Sequence, residues 1–117
     1  MANLNTIVTH NAVALTKDGS SYGIGAVELS DRALNGMFSV AFTIAGTGTV
    51  TLTYELSLDG TLYLTPSTAV DIGAALASGG ASDILSFQPE PAKYIKILAT
   101  EDNVNPITSL TVTLLIQ

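Results

Sequence analysis

Cysteine and tryptophan are absent from this 117-residue chain, and charged residues make up only 12% of it. Without cysteine, the chain has no disulfide framework, no thiolate nucleophile and no cysteine-ligated zinc site. The charged fraction is about half of the roughly 25% that is usual in soluble domains. A surface with so little charge is often covered by neighbouring subunits, which favours an oligomer or an assembly over a monomer with a neutral surface.

The chain has only four Lys and Arg residues, and its formal net charge is −6. Lys93 and Lys96 fall on opposite parities of one predicted strand, so they form no positively charged stripe. Nucleic-acid binding requires clustered positive charge, and we therefore expect no nucleic-acid partner. No apolar run approaches the roughly 20 residues of a membrane-spanning helix, and we expect no membrane partner either.

Alternation of apolar and polar residues is the strongest pattern in the chain. It runs through residues 49–58, where valine, leucine and tyrosine alternate with threonine, glutamate and serine, and it recurs at 38–44 and 110–116. Side chains of a strand point to opposite faces in turn, so each run predicts a strand with one buried face. The predicted core residues share one parity within each strand: Phe38, Val40, Phe42, Val50, Leu52, Leu56, Ile95, Ile97, Leu110, Val112 and Leu114.

Turn residues separate these runs at intervals of about 8 to 12 residues, which is typical of an antiparallel sandwich. We predict an all-β fold, a single antiparallel β-sandwich over residues 1–117 that is jelly-roll-like or Ig-like, with about seven to nine strands. Residues 1–11 are expected to form an extended arm. Gly46-Thr47-Gly48 predicts a hairpin between the strands at 38–44 and 49–58. For residues 66–80, a short helix and an irregular loop remain equally compatible with the sequence.

Candidate catalytic and metal-binding residues are few. His10 is the only histidine, and nothing in the sequence arranges a nucleophile and an acid around it, so we interpret it as a loop or interface residue. Glu101, Asp102 and Asn103 offer oxygens of the kind that bind Ca²⁺, but they lack the alternating ligands of a calcium loop and are interpreted as a solvated turn. We therefore predict a protein that is not an enzyme and uses no cofactor or metal.

Tyrosines supply the alternative function. Tyr22, Tyr54, Tyr63 and Tyr94 are the residues that could stack on a sugar ring. Tyr54 lies on the apolar parity of its strand and is expected in the core. For Tyr22 and Tyr63, the sequence leaves open whether the side chain is available to a sugar. A carbohydrate-binding module of a fibre or enzyme is thus the alternative to a structural protein, and other small-molecule ligands are not expected.

Residues 38–63 carry a resemblance to a known group of proteins. Gly46-Thr47-Gly48 is followed by Ser57, Asp59, Gly60 and Tyr63 in the arrangement Ser-x-Asp-Gly-x-x-Tyr, and this segment resembles small virion proteins of tailed bacteriophages. The segments 93–99 and 109–116 are similar to the same group. The resemblance implies a non-enzymatic decoration (cement), neck or tail subunit, located in the virion after assembly in the host cytoplasm, and it carries over no catalytic residue.

Such a subunit is expected to bind copies of itself and a shell or tail protein. We predict a symmetric oligomer, a trimer by analogy with decoration proteins, because a shell offers threefold sites. Two segments are predicted to make the contacts: residues 2–11, whose Asn and Thr side chains suit pairing along a foreign edge, and the apolar segment 66–80. The predicted interface residues are Asn3, Asn5, Thr6, His10, Val70, Ile72 and Leu76.

Overall fold

The structure is a computed structural model that describes residues 5–16, 19–29, 37–46, 49–66, 73–76, 81–89, 91–101 and 107–117. The described residues contain no α-helix, and therefore none that could cross a membrane. They form nine strands: β1 (Asn5–Leu15), β2 (Ser20–Ser21), β3 (Val27–Glu28), β4 (Phe38–Gly46), β5 (Val50–Ser57), β6 (Gly73–Leu76), β7 (Ala81–Phe87), β8 (Tyr94–Glu101) and β9 (Ile107–Ile116).

The strands form two antiparallel sheets. Sheet A has the order β1-β9-β4-β7, and sheet B has the order β2-β8-β5-β6, with β3 also paired to β8. The short strands β2 and β3 occupy successive stretches of the same β8 edge, since β2 pairs with Ala99 and Thr100 while β3 pairs with Tyr94 and Ile95. Together they therefore fill a single strand position.

Pairing runs from the ends of the chain inward, with β1 on β9, β2 and β3 on β8, β4 on β7, and β5 on β6. With β2 and β3 counted as one strand position, the chain alternates between the sheets except at β5 and β6, which are neighbours in sheet B. Eight strand positions nested in this way make a jelly roll. The prediction of an all-β antiparallel sandwich is confirmed, and the jelly-roll form of it is the one adopted.

Alternate residues of both sheets meet in one core. Every residue predicted for the core is buried, and the most exposed of them, Leu56, shows 8% of its surface. Phe87 connects the two sheets, because its ring centroid lies 5.5 Å from that of Phe38 in sheet A and 5.5 Å from that of Tyr54 in sheet B. The expectation that Tyr54 belongs to the core is thereby confirmed.

The hairpin predicted around Gly46-Thr47-Gly48 is wrong. Strand β4 pairs with β7 and β9 in sheet A, whereas β5 pairs with β6 and β8 in sheet B. Each of the two strands has one apolar face, and the chain stacks these faces against each other across the core. Alternation specifies which face is buried, but it leaves open whether two successive strands lie side by side or face to face.

Of the segment 66–80, the structure describes Pro66, which is irregular, and residues 73–76, which are neither helical nor irregular. Gly73–Leu76 forms β6 and pairs with β5, through Val50 opposite Leu76 and Leu52 opposite Gly73. The alanine-rich sequence favours a helix locally, but the free edge of β5 offers backbone partners, and tertiary pairing overrides that weak preference. Residues 67–72 and 77–80 lie outside the described part of the chain.

The expected N-terminal arm is, from residue 5 onward, an edge strand of the domain itself. Strand β1 pairs with β9 from Asn5 opposite Ile116 to Leu15 opposite Ile107, with three shifts of register on the way. Ile7 and Val13 of β1 pack against the core. Removal of residues 2–11 would therefore take away seven of the eleven residues of an edge strand rather than a separate appendage.

Candidate functional site

His10 and Glu101 are the described residues among those considered for catalysis or metal binding. Within the described ranges, no group of three or more His, Cys, Asp or Glu side chains could hold a metal ion. Glu101 ends β8 and is fully buried, so its interpretation as part of a solvated turn is wrong. Its backbone N–H donates to the carbonyl oxygen of Gly19 at 2.8 Å, which holds it against the 19–21 segment. Asp102 and Asn103 lie outside the described residues.

His10 is also fully buried, inside β1, so the expectation of a loop or surface interface residue is wrong. The register of β1 against β9 shifts between Val8 and His10, and this bulge turns His10 inward beside Thr9, breaking the alternation. The imidazole Nε2 lies 2.9 Å from the carbonyl oxygen of Ser21 in β2, and Nδ1 lies 3.0 Å from Thr9 Oγ1. His10 thus links an edge of sheet A to an edge of sheet B.

The pKa of His10 lies below its usual 6.5 because burial disfavours the charged imidazolium, while the hydrogen bond to Ser21 opposes part of that effect. A carbonyl oxygen can only accept, so the neutral ring carries its proton on Nε2 and donates it to Ser21. His10 therefore acts as a neutral structural residue.

The segment after β2 packs on β1 at the same junction. The Ile24 N–H donates to the carbonyl oxygen of Thr9 at 2.9 Å. Gly23 has a φ of +60°, and a Cβ atom at this position would overlap that carbonyl oxygen. Only glycine fits this approach of the two backbones, and the junction fixes one edge of sheet A against sheet B.

The outer face of sheet A has no charged residue in the described part of the chain. Opposed residues of antiparallel strands share a face, so the register identifies its members. We call this surface the neutral face. It consists of Thr6 and Val8 of β1, Ser109, Thr111, Thr113 and Leu115 of β9, Ser39, Ala41, Thr43 and Ala45 of β4, and Ser82, Ile84 and Ser86 of β7.

Side chains on the neutral face are short and partly bonded to one another. The Ser82 hydroxyl donates to Thr43 Oγ1 at 3.2 Å, and the Ala12 backbone N–H donates to Thr111 Oγ1 at 3.2 Å. A shallow depression of about 390 Å³ lies between β4, β7 and β9. Val8 and Ile84 are the exposed large apolar residues of this face, at 44% and 57%. The result is a flat surface of hydroxyls and small apolar groups.

The outer face of sheet B has a different chemistry. Glu55 of β5 and Lys96 of β8 are directly opposed, and the Tyr22 hydroxyl donates to Glu55 Oε2 at 2.6 Å. The Lys96 ammonium lies 3.9 Å from the ring centroid of Tyr63 and 5.1 Å from that of Tyr22. We call these four residues, with Tyr94, the tyrosine cluster. The tyrosines left open by the sequence, Tyr22 and Tyr63, are thus brought together.

Two tyrosines of this cluster titrate above their usual range. The hydrogen bond to the Glu55 carboxylate, with partial burial and the charge of Glu55, raises the pKa of Tyr22. Partial burial, with contributions from Tyr94 and Asp59, raises the pKa of Tyr63. Both hydroxyls therefore stay protonated at neutral pH and can donate hydrogen bonds.

A third surface lies at the end of sheet B that follows β5. Leu58, Leu62 and Leu64 are between 60% and 69% exposed and border a groove of about 410 Å³. Leu64 is held by two 2.9 Å backbone hydrogen bonds to Leu56, which form an isolated antiparallel bridge. We call this surface the leucine groove.

The turn beside the leucine groove contains most of the Ser-x-Asp-Gly-x-x-Tyr motif. The Ser57 hydroxyl accepts from the Gly60 N–H at 2.9 Å, and Asp59 Oδ1 accepts from the N–H groups of Thr61 and Leu62 at 2.8 and 3.0 Å. These backbone donors, with the Ser57 hydroxyl, hold the pKa of Asp59 below its usual value. Gly60 has a φ of +80°, the left-handed region that favours glycine. The motif thus specifies a turn.

Charge is distributed unevenly over the sandwich. The charged side chains that the structure describes all belong to sheet B or to the segments next to it. The described charged residues of sheet B and its flanks are Glu28, Glu55, Asp59, Lys93, Lys96 and Glu101.

The predicted interface residues are scattered over this structure. Thr6 lies exposed on the neutral face, while Asn5 is half-buried opposite Ile116 and His10 is inside the protein. Leu76 lies in β6, and its backbone pairs with that of Val50 in β5. Asn3, Val70 and Ile72 lie outside the described residues.

Apart from Thr6, the members of the neutral face are not among the predicted interface residues. The signal was present in the sequence, because the outward parity of β4 and β9 consists only of Ser, Thr, Ala and Leu in the described part of the chain.

No protein-family model and no curated protein matches the chain. It is similar to solved structures of infectious bursal disease virus. The VP2 subviral particle gives a TM-score of 0.53 at 12% identity over 98% of this chain and 33% of the other. The T13 viral particle gives 0.53 at 12% identity over 98% and 31%, and the Gt strain gives 0.50 at 12% over 98% and 33%. The chain thus spans about a third of the proteins it matches, and at this identity the likeness shows a shared fold.

Proposed function

We propose that this chain is a non-enzymatic structural protein of a virion, acting through contacts with copies of itself and with neighbouring virion proteins. The observation that carries the proposal is the nested jelly roll, one of the architectures from which viral shells are built. The similar solved structures come from virus particles. Because a fold alone does not specify a function, the uncharged outer face of sheet A is the second support.

Within the virion, we assign the chain to the head of a tailed bacteriophage as a decoration or cement subunit, with a neck or tail position as the alternative. This finer assignment rests on the resemblance of residues 38–63 to small phage virion proteins. A trimer is the expected oligomer, since an icosahedral shell provides threefold and quasi-threefold positions that closed symmetry can match. Assembly in the host cytoplasm follows from the same assignment.

Antibodies against the purified chain test the virion assignment. We expect immunogold label on particles released from cells that carry the gene, and loss of that label when the antibody is first absorbed with purified chain. Label spread over the particle head supports decoration, whereas label at one vertex supports the neck or tail. Recovery of the protein only from fractions without particles would contradict the proposal.

A glycan-binding module is the second candidate, and the tyrosine cluster is the observation that favours it. Jelly rolls also occur in lectins, and exposed tyrosines beside Glu55 and Lys96 combine ring faces with polar groups. However, Lys96 lies over the Tyr63 ring at 3.9 Å and must move before a sugar can stack there. A glycan array with the wild type and Tyr63→Ala tests this function, and binding lost only in the variant would favour it.

A further inference from the structure

We infer that the neutral face is the surface through which copies of this chain contact one another. The inference rests on the self-association in the proposed function and names the surface responsible for it. In the expected trimer, the three copies turn this face toward the shared axis. The partner is therefore a second copy of the same chain.

Charge distribution is the first argument. Each copy carries a formal net charge of −6, so identical copies repel, and this repulsion is smallest when they meet through a surface that lacks charge. Contact through sheet B would bring the Glu28 and Glu55 carboxylates of one copy near those of another, and would also remove the Lys96 ammonium from water. Contact through the neutral face requires neither, because its described members are uncharged.

Hydrogen bonding is the second argument. A hydroxyl that loses water on contact must find another partner. Thr43 and Ser82 are already bonded to each other, and Thr111 accepts from the Ala12 backbone. The remaining Ser and Thr side chains can both donate and accept, so one half of the neutral face can pair with the other half of a neighbouring copy, as a threefold arrangement requires.

The size of the face indicates how tightly copies associate. Seven registered residue pairs join β4 and β7, and four strands at about 4.8 Å spacing and 3.4 Å per residue make a patch of about 450 Å². A stable interface buries about 800 Å² per partner, so this contact alone is expected to be weak. Self-association should therefore depend on concentration and be reinforced where copies attach side by side to a shell.

Matched lysine substitutions test the inference. Thr113 lies at the middle of the neutral face and Thr53 in the middle of β5 on the outer face of sheet B, and both are half-buried threonines. Thr113→Lys and Thr53→Lys each reduce the net negative charge by the same amount, so neither increases overall repulsion. Leu62→Lys applies the same change to the leucine groove.

Molar mass by sedimentation or light scattering, at about 10 to 500 µM, is the measurement. We expect a mass that rises with concentration for the wild type, Thr53→Lys and Leu62→Lys, and association weakened at least about tenfold in Thr113→Lys. Circular dichroism and thermal unfolding check that each variant is folded. If Thr113→Lys does not fold, Thr43→Lys replaces it, because Thr43 is an exposed residue of the same face.

Three results would overturn the inference. Folded Thr113→Lys or Thr43→Lys with the wild-type mass would remove the neutral face as the contact surface. Loss of association only in Thr53→Lys or Leu62→Lys would move the contact to that surface. A wild type that stays at the single-chain mass throughout would also remove the self-contact from the proposed function, while the particle-labelling result would still decide the virion assignment.

Discussion

The outer face of sheet A carries Ser, Thr, Ala and aliphatic residues, whereas the outer face of sheet B carries Glu55, Lys96 and the tyrosines around them. The inner faces of the two sheets do not differ in this way, since both contribute aliphatic residues to one core. The shared core therefore explains why the chain folds as a sandwich. The outward-facing side chains differ between the two sheets, and they determine what each sheet can contact. Among the described side chains, the charged ones all belong to sheet B and its flanks, and this asymmetry is the basis of the self-contact inferred for sheet A.

The largest effect is expected in the shared core, where the sheets should behave alike. Leu114→Ala in sheet A and Leu52→Ala in sheet B each remove a fully buried side chain. Each should lower the free energy of unfolding by about 2–5 kcal/mol, because apolar burial is lost and a cavity remains. Urea unfolding of both variants measures this. A loss below about 0.5 kcal/mol in either would show that its parity faces solvent.

The junction between the sheets should give the next largest effect. Gly23→Ala places a methyl group against the Thr9 carbonyl oxygen, whereas a Cβ at Gly25, which also has a positive φ of 87°, meets no atom within 4 Å. We expect Gly23→Ala to lower the free energy of unfolding by about 3 kcal/mol, and Gly25→Ala by about 1 kcal/mol from backbone strain alone. Equal losses in denaturant unfolding would mean that the junction tolerates the methyl group.

His10 makes the same junction sensitive to pH. Its folded-state pKa lies below the usual 6.5, so the unfolded chain takes up the proton first as the pH falls. The stability that neutral His10 contributes is complete above about pH 6.5 and is lost as the pH falls from there through the lowered folded-state pKa.

Unfolding free energies between about pH 7.5 and 5.5 check this, with His10→Gln as the control that keeps all carboxylates. We expect a steeper decrease in the wild type than in the variant. Parallel curves would show that His10 does not titrate differently on folding.

The smallest effect is expected on the outer face of sheet B. Tyr22→Phe removes one exposed hydrogen bond to Glu55 and should change the free energy of unfolding by less than about 1 kcal/mol. It should leave self-association unchanged, since the tyrosine cluster lies away from the neutral face. Chemical unfolding and molar mass measure the two quantities. Altered mass would show that sheet B takes part in self-contact.

The sequence predicted the inner parity correctly because burial on one face imposes a period of two, as at Val50 and Leu52 in β5 and at Ile95 and Ile97 in β8. It could not predict that β4 and β5 lie in different sheets, because pairing depends on distant strands. It also missed β6, where a sheet edge outcompetes local helix preference.

The burial of His10 was missed for a similar reason. A bulge against β9 shifts the parity of β1 and turns this residue inward, and the sequence gives no local sign of that bulge. The neutral face, in contrast, could have been predicted from the uncharged outward parity of 38–44 and 109–115, had the sheets been known.

Site-specific photo-crosslinking compares the two faces most directly. A photoreactive benzophenone side chain is placed at Thr113 in one preparation and at Thr53 in another, and each is irradiated at the concentration where the wild type is associated. We expect covalent multimers from position 113 and single chains from position 53. Multimers from position 53 with none from position 113 would contradict self-contact through the outer face of sheet A.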